Sequence, residues 1–118
     1  MIVIEEHNDL LKVHVYGELT LADYREFEKA VSGGLKTASK VRLLMDLPKM
    51  SGFSVDVAWE DIRFTRAHAH DFRRIAVVTD SQWLNWIGWL SAAFTDAEVE
   101  TFETAAAAAA AEAWLAAS

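Results

Sequence analysis

Phe72-Arg73-Arg74-Ile75-Ala76-Val77-Val78-Thr79-Asp80 is the stretch that decides how the chain is read. Ile75 to Val78 is an unbroken, largely β-branched apolar run without polar alternation, the pattern of a strand covered on both faces. A strand sandwiched in this way needs helices before and after it. The residues before it predict a helix over about 55–69, opened by Ser54. Those after it predict a helix over 82–94, capped by Ser81.

Upstream, Ile2 to Glu5 and Leu10 to Glu18 read as two strands joined by the turn residues His7-Asn8-Asp9. In the second, Leu11, Val13 and Val15 alternate with Lys12, His14 and Tyr16, so one face is buried and the other partly wet. Gly17 permits an exit bend. Thr20-Leu21-Ala22-Asp23 has the form of a capping box, and Tyr24, Phe27, Ala30 and Val31 mark the inner face of a helix running to about Leu35, which Gly33-Gly34 ends or frays in its last turn. Val41 to Leu47 is a third apolar strand, and Pro48 to Ser54 is expected to be a loop. In the next helix Val55, Ala58, Trp59, Ile62 and Ala69 are expected to face the core. Val57, Asp61, Phe64 and His68 form a second stripe nearly opposite.

Downstream, Gly88 sits inside the expected helix, Ala97 to Phe102 is a short strand, and Thr104 to Ala117 is an alanine-rich helix anchored by Trp114 and Leu115. The order β-β-α-β-α-β-α-β-α implies an α/β fold: a mostly parallel five-stranded sheet, an antiparallel edge strand and covering helices. At 118 residues one domain is expected, spanning 1–118.

Composition narrows the function. All eleven Lys and Arg lie at or before Arg74, and residues 75–118 carry six acids and no base, which is −6 of the net −7. Such a chain is poorly suited to nucleic-acid phosphate or to anionic membrane surfaces. No run has the length of a membrane span, and Met1 to Glu6 lacks a basic signal-peptide region. The absence of cysteine fits a reducing compartment, so the cytoplasm is the expected location.

The ordered set Gly17-Glu18-Leu19-Thr20, Asp23-Tyr24, Val41 to Asp46, Ala58-Trp59-Glu60-Asp61, His68 and Asp71 to Val78 resembles the SpoIIAA-like family. Trp86, Phe94, the Ala97 to Phe102 strand and Ala113-Trp114-Leu115 extend the resemblance over nearly the whole chain. It implies a STAS-type fold, shared with anti-sigma-factor antagonists and sulfate-transporter tails and similar to lipid-carrying CRAL-TRIO domains. In the antagonists a phosphorylatable serine follows the third strand within an Asp-Ser-Ser/Thr-Gly-like motif. Here that region reads Met50-Ser51-Gly52-Phe53-Ser54-Val55-Asp56. Ser51 or Ser54 stands in roughly the right place, but the preceding Asp is missing.

Two non-enzymatic functions are therefore expected. The first is a carrier or sensor of a small lipophilic or amphipathic molecule, held between two helices by Ser54, Trp59, Ile62, Ser81, Trp83, Trp86 and Ile87. The second is a STAS-type interaction regulator, with Ser51 or Ser54 as the phosphosite. Val57, Phe64 and Trp89 are the expected interface of a homodimer. Arg63, Arg66, His68, His70, Arg73 and Arg74 concentrate positive charge at a helix C-terminus, where it complements the dipole. His68-Ala69-His70 lacks the further ligands of a zinc site, no dinucleotide or P-loop fingerprint occurs, and no catalytic residue, cofactor or metal is expected.

Overall fold

The computed structural model describes residues 1–79, 95–103 and 107–117. The expected helix over 82–94, with Ser81, Trp83, Trp86, Ile87, Gly88 and Trp89, lies outside the described residues.

The strands are β1 (Ile2–His7), β2 (Leu10–Val15), β3 (Gly17–Leu19), β4 (Val41–Asp46), β5 (Met50–Phe53), β6 (Phe72–Val78) and β7 (Glu98–Phe102). The helices are α1 (Leu21–Leu35), α2 (Val55–Ala67) and α3 (Ala107–Ala116). Five strands form one sheet in the order β1-β2-β4-β6-β7. Only β1 and β2 pair antiparallel; the other neighbours are parallel. The mostly parallel sheet with an antiparallel edge strand is thus present.

The β1–β2 hairpin turns at Asn8, which takes φ +59°, a left-handed conformation that Asn tolerates better than most residues. The expected strand from Leu10 to Glu18 is broken at Tyr16. Gly17 takes φ +69°, and its N–H donates to the Lys49 carbonyl at 3.0 Å. That bend sends β3 away from the main sheet to pair in parallel with β5. The expected loop over 48–54 therefore contains a short strand. Its partner is supplied by tertiary pairing, and Met50-Ser51-Gly52-Phe53 has little strand propensity of its own.

The capping box opens α1: Asp23 N–H donates to Thr20 Oγ1, and Thr20 N–H donates to Asp23 Oδ2, each at 3.2 Å. The helix ends at Leu35, as expected, with Gly33-Gly34 in its last turn and their carbonyls accepting from the Lys36 N–H. A Cβ on Gly34 would come within 3.3 Å of Val41 Cγ2, so this glycine lets α1 close onto β4.

The sheet separates two cores. On one face Leu11, Val13, Val15, Leu43, Ile75 and Val77 pack beneath α1 and α2. On the other, Leu44, Ala76 and Val78 pack beneath Ala111 and Leu115 of α3. Ile75 to Val78 is buried residue by residue because alternate side chains enter alternate cores.

The expected facing of α2 is corrected by roughly half a turn of the helix. Val55 is 74% exposed and Trp59 65% exposed, whereas Val57 and Phe64 are buried. The Phe64 ring meets the edges of Tyr24 and Phe27, with centroids 6.1 and 5.5 Å apart. Val57 and Phe64 belong to the monomer's own core and cannot supply the expected dimer interface. The polar members of the inner stripe are tolerated because they find partners. Tyr24 reaches Asp61, Arg25 reaches Glu60, and Asp71 reaches His68.

Both ends of the main sheet are acidic among the described strands. β1 carries exposed Glu5 and Glu6, and β7 carries exposed Glu98 and Glu100.

Candidate functional site

The segment from β5 into α2 gathers most of the described candidate residues. It is tethered from below: Leu47 and Met50 are buried, Leu47 N–H donates to the Val78 carbonyl at 2.8 Å, and Met50 N–H donates to the Leu47 carbonyl at 3.0 Å. Ser51 is exposed on β5. Ser54 occupies the N-cap of α2 with extended backbone but makes no side-chain capping bond. Its hydroxyl instead stands beside Asp56 and holds that carboxyl below the usual range.

From Ser54 the helix presents Val55 and Trp59 to solvent, four residues apart on one face, with the exposed Arg63 one turn further. Ile62 is half-buried. The crevice expected between two helices thus has one described wall, and on that wall Trp59 points outward. Its other members, Ser81, Trp83, Trp86 and Ile87, lie outside the described residues, as does Trp89.

The late cations do not form one cluster. His68 Nδ1 pairs with Asp71 at 2.7 Å, and His70 Nδ1 with Asp96 at 2.6 Å. Arg74 turns to the opposite face of the sheet, where Nε approaches Glu98 at 3.2 Å and Nη1 donates to the Trp114 carbonyl. Among the described residues no group of three His, Asp or Glu side chains is placed to hold a metal ion. No described helix is long and apolar enough to cross a membrane.

Two polar arrangements escaped the sequence reading. His14 donates from Nδ1 to Asp46 at 2.7 Å and from Nε2 to Glu5 at 2.8 Å, tying β1, β2 and β4 together. A carboxylate at each nitrogen favours the imidazolium, the form in which both nitrogens donate. Burial works against this charge, but the two carboxylates outweigh it and raise the His14 pKa. Asp46 is therefore engaged, and Thr79, at the end of β6, is fully buried.

The second arrangement lies under α2. Tyr24 Oη donates to Asp61 Oδ1 at 2.6 Å. Burial pushes the Asp61 carboxyl up, offset in part by the tyrosine bond. It pushes the Tyr24 phenol far above its ordinary value, helped by the Asp61 charge, so the tyrosine remains a donor. The available signal was Asp61 falling in one helical stripe with Val57 and Phe64.

Comparison with known proteins agrees with this architecture. A crystal structure of an uncharacterized protein of the DUF3478 family from Shewanella loihica, with a SpoIIAA-like fold, superposes with TM-score 0.75 at 26% identity, covering 98% of this chain and 92% of that one. An anti-sigma factor antagonist from Mycobacterium paratuberculosis gives TM-score 0.62 at 15% identity, over 98% and 93% of the two chains. The anti-sigma factor antagonist SpoIIAA in its unphosphorylated form gives 0.61 at 11%, over 97% and 98%. At such identities the two antagonists establish a shared fold. No curated protein matches the sequence. The SpoIIAA-like family model matches residues 10–116, and the chain belongs to that family.

Proposed function

We propose that the chain is a non-enzymatic, STAS-type interaction module of the cytoplasm that presents its β5–α2 corner to a protein partner, as an anti-sigma-factor antagonist would. The observation that carries this reading is the exposure of Val55 and Trp59 on α2 directly after the Ser51–Ser54 segment. A tryptophan left in water forgoes about 1.5–3 kcal/mol of burial. Aromatic residues of this kind dominate binding energy once a partner covers them. Arg63, exposed one turn further on and 3.9 Å from Glu60, adds a polar edge to this apolar pair.

Of the two serines, Ser51 suits a phosphate better. It is exposed and lies outside the helix, whereas a phosphate on Ser54 would be driven against the Asp56 carboxylate.

The test places a photo-crosslinking residue at Trp59 in the chain expressed in its native host and identifies what it captures. Capture of an anti-sigma factor, lost in Val55→Ser, is the expected result. Capture of only a second copy, with the monomer restored in solution by Trp59→Ser, would reassign the face to homodimerisation. Capture of nothing specific would defeat the proposal.

A further inference from the structure

A cavity of about 90 Å³ lies between α1, α2 and the sheet. Leu43, Phe64, Ile75 and Val77 are typical of its walls, and among the described residues the one charged side chain on its lining is Asp61. Phe53, Ala58 and Asp61 keep partial exposure, so the cavity reaches the surface along the start of α2.

Asp61 is under-supplied with partners. Its Oδ1 accepts from Tyr24 at 2.6 Å, the length of a charge-assisted bond from a hydroxyl to a carboxylate. A carboxylate has about four acceptor positions. Among the described residues no cation and no second donor reaches it. A charge with largely apolar neighbours, partial exposure and no counter-charge is costly to keep, and a cation brought to it lowers that cost. Tyr24 donates to the group, which marks the carboxylate as acceptor. The open positions on Asp61 therefore call for another donor.

We propose that this cavity is a binding site for a small amphipathic amine, whose ammonium group meets Asp61 beside the Tyr24 hydroxyl while its hydrocarbon end fills the apolar remainder. Size restricts the guest. An apolar cavity of about 150 Å³ accommodates benzene, so this one takes a branched chain of about four carbons. Its interior lies beneath α2, on the opposite side of the helix from Val55 and Trp59, while its mouth opens beside the corner that carries the proposed protein interaction; titration of the chain without a protein partner tests the two proposals apart.

The test uses the full chain, labelled with ¹⁵N and titrated near neutral pH with isobutylamine and, separately, with isobutanol. Saturable shifts of the Tyr24, Asp61 and Phe64 amides by the amine are expected, with the alcohol at least tenfold weaker. Asp61→Asn keeps the shape and the acceptor for Tyr24 and should weaken the amine at least tenfold. Should that variant fail to fold, the amine–alcohol comparison on the unaltered chain decides. Absence of saturable binding, or equal binding of the two compounds, would overturn the proposal. Undiminished amine binding by folded Asp61→Asn would overturn it as well.

Discussion

Arg74 lays its guanidinium 4.7 Å over the indole of Trp114 and donates from Nη1 to that residue's own carbonyl at 2.6 Å. Arg42 does a similar service one residue on. It donates from Nη1 to the Leu115 carbonyl at 2.9 Å while its Nε and Nη2 grip Asp9. The end of α3 carries no basic residue of its own, so two arginines from the sheet satisfy the terminal carbonyls and the dipole.

Arg74→Leu should therefore destabilise the fold by about 1–3 kcal/mol, through the lost charged hydrogen bond and the lost stacking. Arg74→Lys should recover only part of this, because an ammonium lacks the planar fork. Urea unfolding followed by tryptophan fluorescence measures both. Equal stability of Arg74→Leu and the parent would show that α3 docks without help from Arg74.

The helix α2 supplies a contrast within one element. Phe64→Ala should cost about 3–5 kcal/mol as a core truncation. Trp59→Ser should change stability by no more than about 0.5 kcal/mol as a surface change. The same unfolding measurement separates them. A reversed order would restore the orientation of α2 expected from sequence.

His14 makes stability depend on pH. Its folded pKa lies above the unfolded value, so its contribution is fully present below the ordinary histidine range and is lost as pH rises through the raised folded value. The urea midpoint should fall as pH climbs from about 6 toward 8, and His14→Gln should flatten that part of the profile. An NMR titration of the ring should give a midpoint above that of a free histidine.

Tyr24 and Asp61 give the opposite test of a carboxyl. Asp61 has a folded pKa above its unfolded one, so its protonated form favours folding, and stability declines as pH rises from the ordinary aspartate range through the raised value. Asp61→Asn should remove that slope while keeping the Tyr24 bond. Tyr24→Phe should steepen the slope and cost about 1–3 kcal/mol near neutral pH, since it takes away the carboxylate's donor.

Residues with one dominant environment were legible in the sequence. Ile75 to Val78 announced a doubly covered strand, and Thr20 with Asp23 announced a helix start, because each signal is local. The short strand β5 was not, since its partner β3 lies some thirty residues away and exists only after Gly17 bends. The facing of α2 was misread for a related reason. Both stripes of the helix carried large apolar residues, and the polar Asp61 and His68 made one of them look solvated. What decided the matter was Tyr24 and Asp71, whose hydroxyl and carboxylate satisfy those groups beneath the helix. The β5–α2 corner followed from family resemblance, whereas the three-strand tie through His14 needed coordinates.

The acidic side chains on β1 and β7 limit how these molecules can aggregate. An outermost strand offers unpaired amides to any neighbour, and two sheets laid side by side could extend into a fibril. Here such an approach sets glutamates against glutamates, whichever of the two edges meet, so repulsion opposes endless growth along the sheet.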